Sequence, residues 1–502
     1  MMQPVRKVVV VGRDGPAWMA ALSLQRALGR AGLEVSVVEL PSLLRGADVY
    51  AALPSLRSLH DLLGLDEAAV LTAARGVPMV AQRYSEWTPG AAFLQGYDSV
   101  EAPGAFLSFV QLWAKARIKG LPVPFEEFSY GAMAARLGRV PSESDDPEAL
   151  GATYGYHLDA NAYSLLLRTL SERRGIKVRS TPIADVEISE DRILAIELAD
   201  GQRIEADLFV DASGAEAVLI SRLPQSAFEA WDAFLPCDRL LAASAPRLSP
   251  LPAFSQVTAF DAGWAGMFPL QERTAVVAAY RSTEIGDDEL LHKLKADVGM
   301  PVEGDAVVST IAPGVRKSPW IGNCVAVADA AAFLEPLDSL QLHMAHVCVT
   351  QLINFFPVDS DTRIEATDYN AAVRLHASNL RDFQQSHYKL NRRTGQRLWD
   401  EARSAEVSDG LAQKLRVFQA RSEAVLYDEE TFEAGSWASM FIGHGLTPEG
   451  YDPRADLIEE QDHIERIQAR LREIAGSIPA LPTIEAFLTA TQIPVKAPAP
   501  AS

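Results

Sequence analysis

Three sets of residues in this sequence have the types and spacings to do chemistry. The first runs from Arg6 to Glu39: a β-branched run from Val8 to Val11, a turn carrying Gly12 and Gly15, a helical stretch with Ala17 and Trp18, and a second apolar run ending in Glu39. Strand, tight turn, helix and acid-terminated strand make a unit that can hold a dinucleotide. The helix turns its free N–H groups and positive dipole end toward the pyrophosphate, and the acid accepts hydrogen bonds from a ribose. The spacing is imperfect. Counted from Gly12, the second and third positions of G-x-G-x-x-G fall on Asp14 and Ala17, with Gly15 out of place. A carboxylate at Asp14 repels the phosphate the turn should cradle, so the alternative is a unit kept for its fold that binds dinucleotide weakly or not at all.

The second set is Asp338 with His343 and His346. A carboxylate flanked by two bases on one helical face suits acid–base work. The plainer alternative is a helix cap followed by an i, i+3 histidine pair in a buried or interface helix. The third set, Trp264, Phe268 and Trp437, could sandwich an aromatic substrate, although aromatics at domain seams are more often core. Cys237, Cys324 and Cys348 are far apart in apolar surroundings, which predicts buried thiols in a reducing compartment, with neither disulfides nor a metal site.

The elements that must position these residues follow from hydrophobic pattern. With 502 residues and 48% apolar composition the chain can fill a large core, and a net charge of −20 argues against nucleic acid and anionic membranes. The first strand begins close to Met1, so no signal peptide is expected. No apolar stretch is long enough for a membrane span, and a cytoplasmic location is expected. The pattern predicts helices over 54–65 and 105–120, with a strand over 77–87 between them. An acidic solvated loop is predicted at 142–148, then a helix opening at Tyr154–Ala160 and ending near Arg173. Short strands follow at 177–179, 183–188 and 193–198, with a turn at Asp200-Gly201. A buried strand then ends in the small-residue turn Asp211-Ala-Ser-Gly214. Residues 227–309 are strand-rich, 323–336 read as strand, turn and helix, and helical spacing appears at 380–393, 410–427 and 455–474. The Pro/Ala-rich end from Pro494 is predicted to be disordered.

Six blocks in order carry a resemblance. They are Gly12…Gly15-x-x-Trp18-Met19-x-Ala21, Tyr156-His157-x-Asp159-Ala160, Asp207-Leu-Phe-Val-Asp211-x-Ser213-Gly214, Phe333-Leu-Glu335-Pro336-Leu337, Arg381-Asp-Phe…His387-Tyr, and Ser436-Trp437-Ala-Ser-Met440-Phe-Ile-Gly-His-Gly445-Leu. Together they resemble the flavin-dependent tryptophan (indole) halogenases, a branch of the FAD-dependent aromatic monooxygenase superfamily, from Val8 to about Asp456. The resemblance implies FAD, reduced by a separate reductase. In the family hypohalous acid reaches an aromatic substrate past a lysine that holds it and a glutamate that activates the species or the ring. Aligned to the family segment F-K-x-G-I-x-F-x-x-W, Trp87 and Tyr84 match and the lysine position falls on Met79, with only Arg75 and Arg83 nearby. The motif E-P-L-E-S-T reads Glu335-Pro336-Leu337-Asp338-Ser339-Leu340, so Asp338 is a shortened catalytic acid and Leu340 removes a hydroxyl beside Ser339 in the halide environment. W-x-W-x-I-P becomes Trp264-Ala-Gly266-Met-Phe268-Pro269, and G-E-A-T-I-P becomes Val49-Tyr50-Ala51-Ala52-Leu53-Pro54. Asp329 resembles the aspartate that contacts the flavin ribityl chain, and Leu337 joins Gly12, Gly15, Ala17 and Glu39 as a flavin-side position.

The expected fold is α/β: a Rossmann-like FAD-binding core with an inserted antiparallel sheet and a helical C-terminal region. Its divisions are 1–226 (core), 227–309 (substrate-side sheet), 310–357 (return to the core), 358–493 (helical region) and 494–502 (tail). The resemblance implies a halogenase-like protein without the family lysine, either a non-halogenating flavoprotein with FAD weakly held or lost, or a binding or partner homologue. The alternative is an active FAD-dependent halogenase or monooxygenase acting on an indole-like aromatic or a peptide. Expected partners are an aromatic small molecule or peptide, with a homodimer or a complex with a paralogue left open.

Overall fold

The structure is a computed structural model that describes residues 3–100, 107–141, 153–296, 300 and 302–491. The chain opens with β1 (Lys7–Gly12), α1 (Asp14–Leu28) and β2 (Glu34–Glu39), as the valine runs predict. Val8 to Val11 have no exposed surface, because helices or loops cover both faces of a parallel sheet here. A strap then carries β3 (Val49–Ala52) into α2 (Ser55–Leu63).

The predicted single strand over 77–87 is two strands, β4 (Val77–Met79) and β5 (Ala81–Ser85), which belong to different sheets. The break is Val80, whose N–H donates to the Ala253 carbonyl and whose own carbonyl accepts from Tyr97. β6 (Ala92–Gly96) then pairs antiparallel with β5. The helix expected over 105–120 is Phe109–Ile118. The acidic loop at 142–148 and the tail from Pro494 lie outside the described residues.

Tyr154–Ala160 does not open a helix. Gly155–Asp159 is β7, the middle strand of a small sheet between β3 and β4, buried along its whole length. The helix α3 (Ala160–Arg173) starts only where the Asp159 carboxylate accepts from the Ala162 N–H at 3.0 Å. Interstrand pairing on both sides overrode the helical spacing read from the sequence.

β8 (Lys177–Arg179) pairs in parallel with β2, and β9 (Leu208–Ala212) in parallel with β1. A seven-stranded sheet is built from β10 (Arg239–Pro246), β11 (Phe254–Phe260), β12 (Gly263–Pro269), β13 (Arg273–Tyr280) and β14 (Glu303–Thr310), in the order β14-β10-β13-β12-β11-β5-β6. Two of its strands therefore come from 81–96, and β11 pairs with β5 in parallel. The chain returns through β15 (Trp320–Ile321) and β16 (Cys324–Ala326), giving the main-sheet order β15-β16-β9-β1-β2-β8. A short 3₁₀ turn at Ala328–Ala330 and a two-residue strand at Ala332–Phe333 follow, and the helix α4 (His343–Asn354) begins later than the sequence pattern suggested. Beyond it stand α5 (Glu365–Leu390), α6 (Asp409–Arg421), α7 (Ala434–Gly443) and α8 (Glu460–Ser477). This is the expected mixed α/β architecture: a parallel Rossmann-like core, extra antiparallel strands and C-terminal helices.

Candidate active site

The loop Glu335–Leu340 is held from below by α5. Gln384, His387 and Tyr388 are spaced i, i+3 and i+4, so they share one face of that helix. The Gln384 amide donates to the carbonyls of Glu335 (2.9 Å) and Leu337 (3.2 Å). With its backbone clamped, the loop keeps Asp338 and Ser339 in left-handed conformations, φ 58° and 60°. Two such residues in succession, neither glycine, aim consecutive side chains into the interior at a conformational cost.

Asp338 is 1% exposed. Its Oδ1 accepts from the Tyr84 hydroxyl at 2.5 Å and lies 3.0 Å from His387 Nε2. His387 Nδ1 in turn lies 2.8 Å from His444 Nε2 on the far side. One tautomer pair satisfies the chain: His444 Nε2–H donates to His387 Nδ1, and His387 Nε2–H donates to Asp338. That leaves His444 Nδ1 without a partner, as found, and burial holds the His444 ring well below its usual pKa. Tyr84 and His387 are also in ring contact, 4.5 Å between centroids. Asp338 Oδ2 has no hydrogen-bond partner among the described residues.

Two more buried polar groups flank this carboxylate. Ser339 Oγ lies 2.9 Å from the Tyr97 hydroxyl and accepts from Gln82 at 3.2 Å. Glu335 Oε2 accepts from Trp264 Nε1 (2.8 Å) and from the Tyr388 hydroxyl (2.6 Å), and that hydroxyl lies 3.3 Å from Cys237 Sγ. Burial raises the Glu335 carboxyl from 4.5 to about 7, and these hydrogen bonds offset the shift only in part.

The structure redistributes the residues predicted from sequence. Asp338 is not flanked by His343 and His346, and it does not cap α4, whose N-cap is Leu342. Its histidine comes from α5. His343 faces Ser55, Thr431 and His376 instead, in keeping with the plainer reading of that pair. Trp264, Phe268 and Trp437 each pack in a different place: Trp264 on Glu335, Phe268 edge-on to His157, and Trp437 edge-on to Phe383 with its N–H on Glu430. Leu340 joins the strap through a β-bridge to Ala52, and Leu337 is buried. Met79 is fully buried and pairs with Gly155. Of the nearest arginines, Arg83 donates to Gln256 and Arg75 pairs with Glu272 at 3.4 Å.

Gln82 and Tyr97 are absent from the sequence-predicted residues, and Tyr84, His387 and His444 enter there only within family blocks, with no site role. The available signals were the alternation of Gln82 and Tyr84 on one strand face and the i, i+3, i+4 set on α5. Neither says which distant loop the residues meet. The three cysteines are buried, as predicted, and each is free; no group of metal-ligating side chains occurs among the described residues. No helix among them is long and apolar enough to cross a membrane. A separate cavity of about 680 Å³ opens between α2 and the C-terminal helix Ile484–Thr491, lined by Arg57, His60, Glu67, Tyr156 and Phe487.

At the glycine turn between β1 and α1, Gly12 is required by contact rather than by φ: a Cβ there would lie 2.4 Å from the Ala212 carbonyl oxygen. The left-handed residue of the turn is Asp14, φ 59°. Burial raises the Asp14 carboxyl, opposed by the Ser42 hydroxyl, the Leu43 N–H and Arg13. A Cβ on Gly15 would lie 3.1 Å from the Tyr50 ring, so that ring covers the first turn of α1. Ala17 is buried inside α1. Glu39 is engaged by Arg168 through two bonds (2.9 and 3.2 Å) and by Ser180 at 2.5 Å. Asp211 accepts from the backbone and hydroxyl of Ser213 and from the N–H groups of Leu219 and Ile220, which fixes the small-residue turn. Asp329 follows left-handed Ala328, and burial lifts its carboxyl to about 6.

Comparison with known proteins gives this geometry a context. The model of the tryptophan halogenase family matches residues 7–460. Tryptophan 7-halogenase KtzQ from Kutzneria sp. (strain 744) is 28% identical over 527 aligned positions, covering 96% of this chain and 98% of its own. BrvH, a flavin-dependent halogenase from Brevundimonas sp. BAL3, superposes with a TM-score of 0.90 at 29% identity, covering 97% of this chain and 99% of its own. Xcc4156, a flavin-dependent halogenase from Xanthomonas campestris, gives a TM-score of 0.92 at 27% identity, with coverage of 97% and 99%. The chain belongs to the tryptophan halogenase family.

Proposed function

We propose that this chain is a halogenase-family protein that does not transfer halogen, acting either as a flavoprotein of altered chemistry or as a binding partner of an aromatic small molecule or peptide. The observation that carries the reading is Met79 at the position the family pattern gives to lysine. Handling an oxidised halogen beside an aromatic carbon needs an amine that donates a hydrogen bond or forms a haloamine. A thioether does neither and is itself readily oxidised. Arg75 and Arg83 are paired elsewhere, and a guanidinium is not a substitute for an amine that must lose a proton. The partners of Asp338 support the same reading: they are Tyr84 and His387, with no lysine among them.

The test supplies reduced FAD, oxygen and bromide with indole and with tryptophan, followed by mass spectrometry. No brominated product is expected from the natural chain. Bromination at a rate above the enzyme-free control overturns the proposal. A second reading, an active halogenase or monooxygenase using another residue in place of the lysine, draws on Asp338 keeping one unpartnered oxygen, and the same assay with hydroxylated products scored decides it.

A further inference from the structure

We infer that the seat where α1 would hold a diphosphate is closed by the chain's own Tyr50 and Asp14, so that the groove selects against dinucleotides. This deepens the cofactor side of the proposed function and stands on different residues from Met79.

A helix N-terminus binds phosphate because its first N–H groups are free and its dipole end is positive. Each of those features is altered here. Asp14 puts an acid in the first turn, and its partly buried carboxyl accepts from the Ser42 hydroxyl and the Leu43 N–H. Pro16 has no N–H to donate. The Tyr50 ring lies in contact with Gly15, and the Gly15 N–H turns its dipole toward the Tyr50 hydroxyl. Tyr50 is not free to swing away. Its backbone pairs with Leu158 in β7, its ring meets Tyr163 edge-on at 6.1 Å, and two residues later Ala52 bridges to Leu340.

The electrostatics act in the same direction. Burial, and then Asp14 and Asp329, keep the Tyr50 hydroxyl neutral; burial also raises Asp14 and Asp48, with smaller contributions from Glu39 on Asp14 and from Asp14 on Asp48. A diphosphate placed here meets these carboxylates together with the cations that face them, Arg13 at Asp14 and Arg273 and Arg45 at Asp48. The repulsion is what remains after those pairings, in a partly buried setting where charges interact more strongly than in water. The ribose-accepting acid is also satisfied internally, since Arg168 and Ser180 already hold Glu39.

The experiment titrates the full-length natural chain, Asp14→Gly, and Asp14→Gly/Tyr50→Ala with FAD and with riboflavin, following flavin fluorescence. Circular dichroism and melting curves establish that each variant is folded. Glycine at 14 relieves the left-handed backbone, so that single variant folds at least as well as the parent and carries the test if the double variant does not. The natural chain is expected to retain no FAD on desalting. Asp14→Gly should tighten FAD at least about threefold and the double variant at least about tenfold, lower bounds set by the strength of one charge interaction in bulk water. Riboflavin, which lacks phosphate, should change by less than FAD. Tight, near-stoichiometric FAD on the natural chain overturns the inference while leaving a non-halogenating flavoprotein intact. Folded variants that gain no FAD affinity also overturn it, and so does an equal gain for riboflavin. Bromination of indole by the natural chain counts against the proposed function and, because it requires reduced FAD in the groove, against this inference as well.

Discussion

Replacing Glu335 with glutamine should change how the stability of this protein depends on pH. The Glu335 carboxyl is fully buried, and burial raises it from 4.5 to about 7. The folded state therefore holds its proton more tightly than the unfolded chain. Below pH 4.5 both states are protonated and Glu335 carries no penalty. Between 4.5 and about 7 the unfolded chain releases the proton first, so stability falls as pH rises, and above about 7 the loss is complete at about 3 kcal/mol. Glutamine keeps an acceptor for Trp264 and Tyr388 and has no proton to lose. Asp329, lifted to about 6, slopes the same way, whereas His157, held at about 3, and His60, held at about 4, lose stability as pH falls below 6.5. Those contributions are common to both proteins and cancel in the difference. The advantage of Glu335→Gln over the parent should thus grow by about 2–3 kcal/mol between pH 5 and pH 8. At about 2 cal/mol/K per residue for a chain of this length, that is about 2–3 °C in Tm. Thermal melts of both proteins at the two pH values measure it. A Tm difference that is the same at pH 5 and pH 8 would refute the assignment of a neutral carboxyl to this site.

Other outcomes follow from contacts in the same structure. Gly12→Ala forces a methyl against the Ala212 carbonyl, rigid backbone on both sides, and should cost about 1–3 kcal/mol in urea denaturation. His387→Ala removes the ring between Asp338 and His444, leaving a buried carboxylate with one hydrogen bond fewer and a cavity. A loss of about 3 kcal/mol or more is expected by the same measurement. Lys414 is 1% exposed, bonded to Glu430 and set over the rings of Tyr427 and Trp437. Lys414→Met should cost about 3 kcal/mol, because Glu430 stays buried without its cation, and adding Glu430→Gln should recover part of that loss.

What the sequence by itself determined is what neighbouring residues encode. The valine run of β1, the acid ending β2 and the strand-rich stretch from 227 are local patterns, written by which faces of a segment must leave water. The family blocks are local as well, since each needs only its own few residues. Tertiary structure decided everything that depends on which segments meet. Gly155–Asp159 is a strand because two other strands pair with it, and residues 77–87 break at Val80 because two sheets compete for one run. Asp338 meets Tyr84, 254 residues away, and takes its histidine from α5 rather than from the nearer α4. A carboxylate's proton affinity is set by burial and by donors from distant segments, so Glu335 shows nothing unusual until Trp264 and Tyr388 are folded around it. The same holds at the first glycine turn. The sequence puts Asp14 in the glycine turn, but only the packing of the strap puts Tyr50 on Gly15, because an aromatic ring's position is fixed by the strand that carries it.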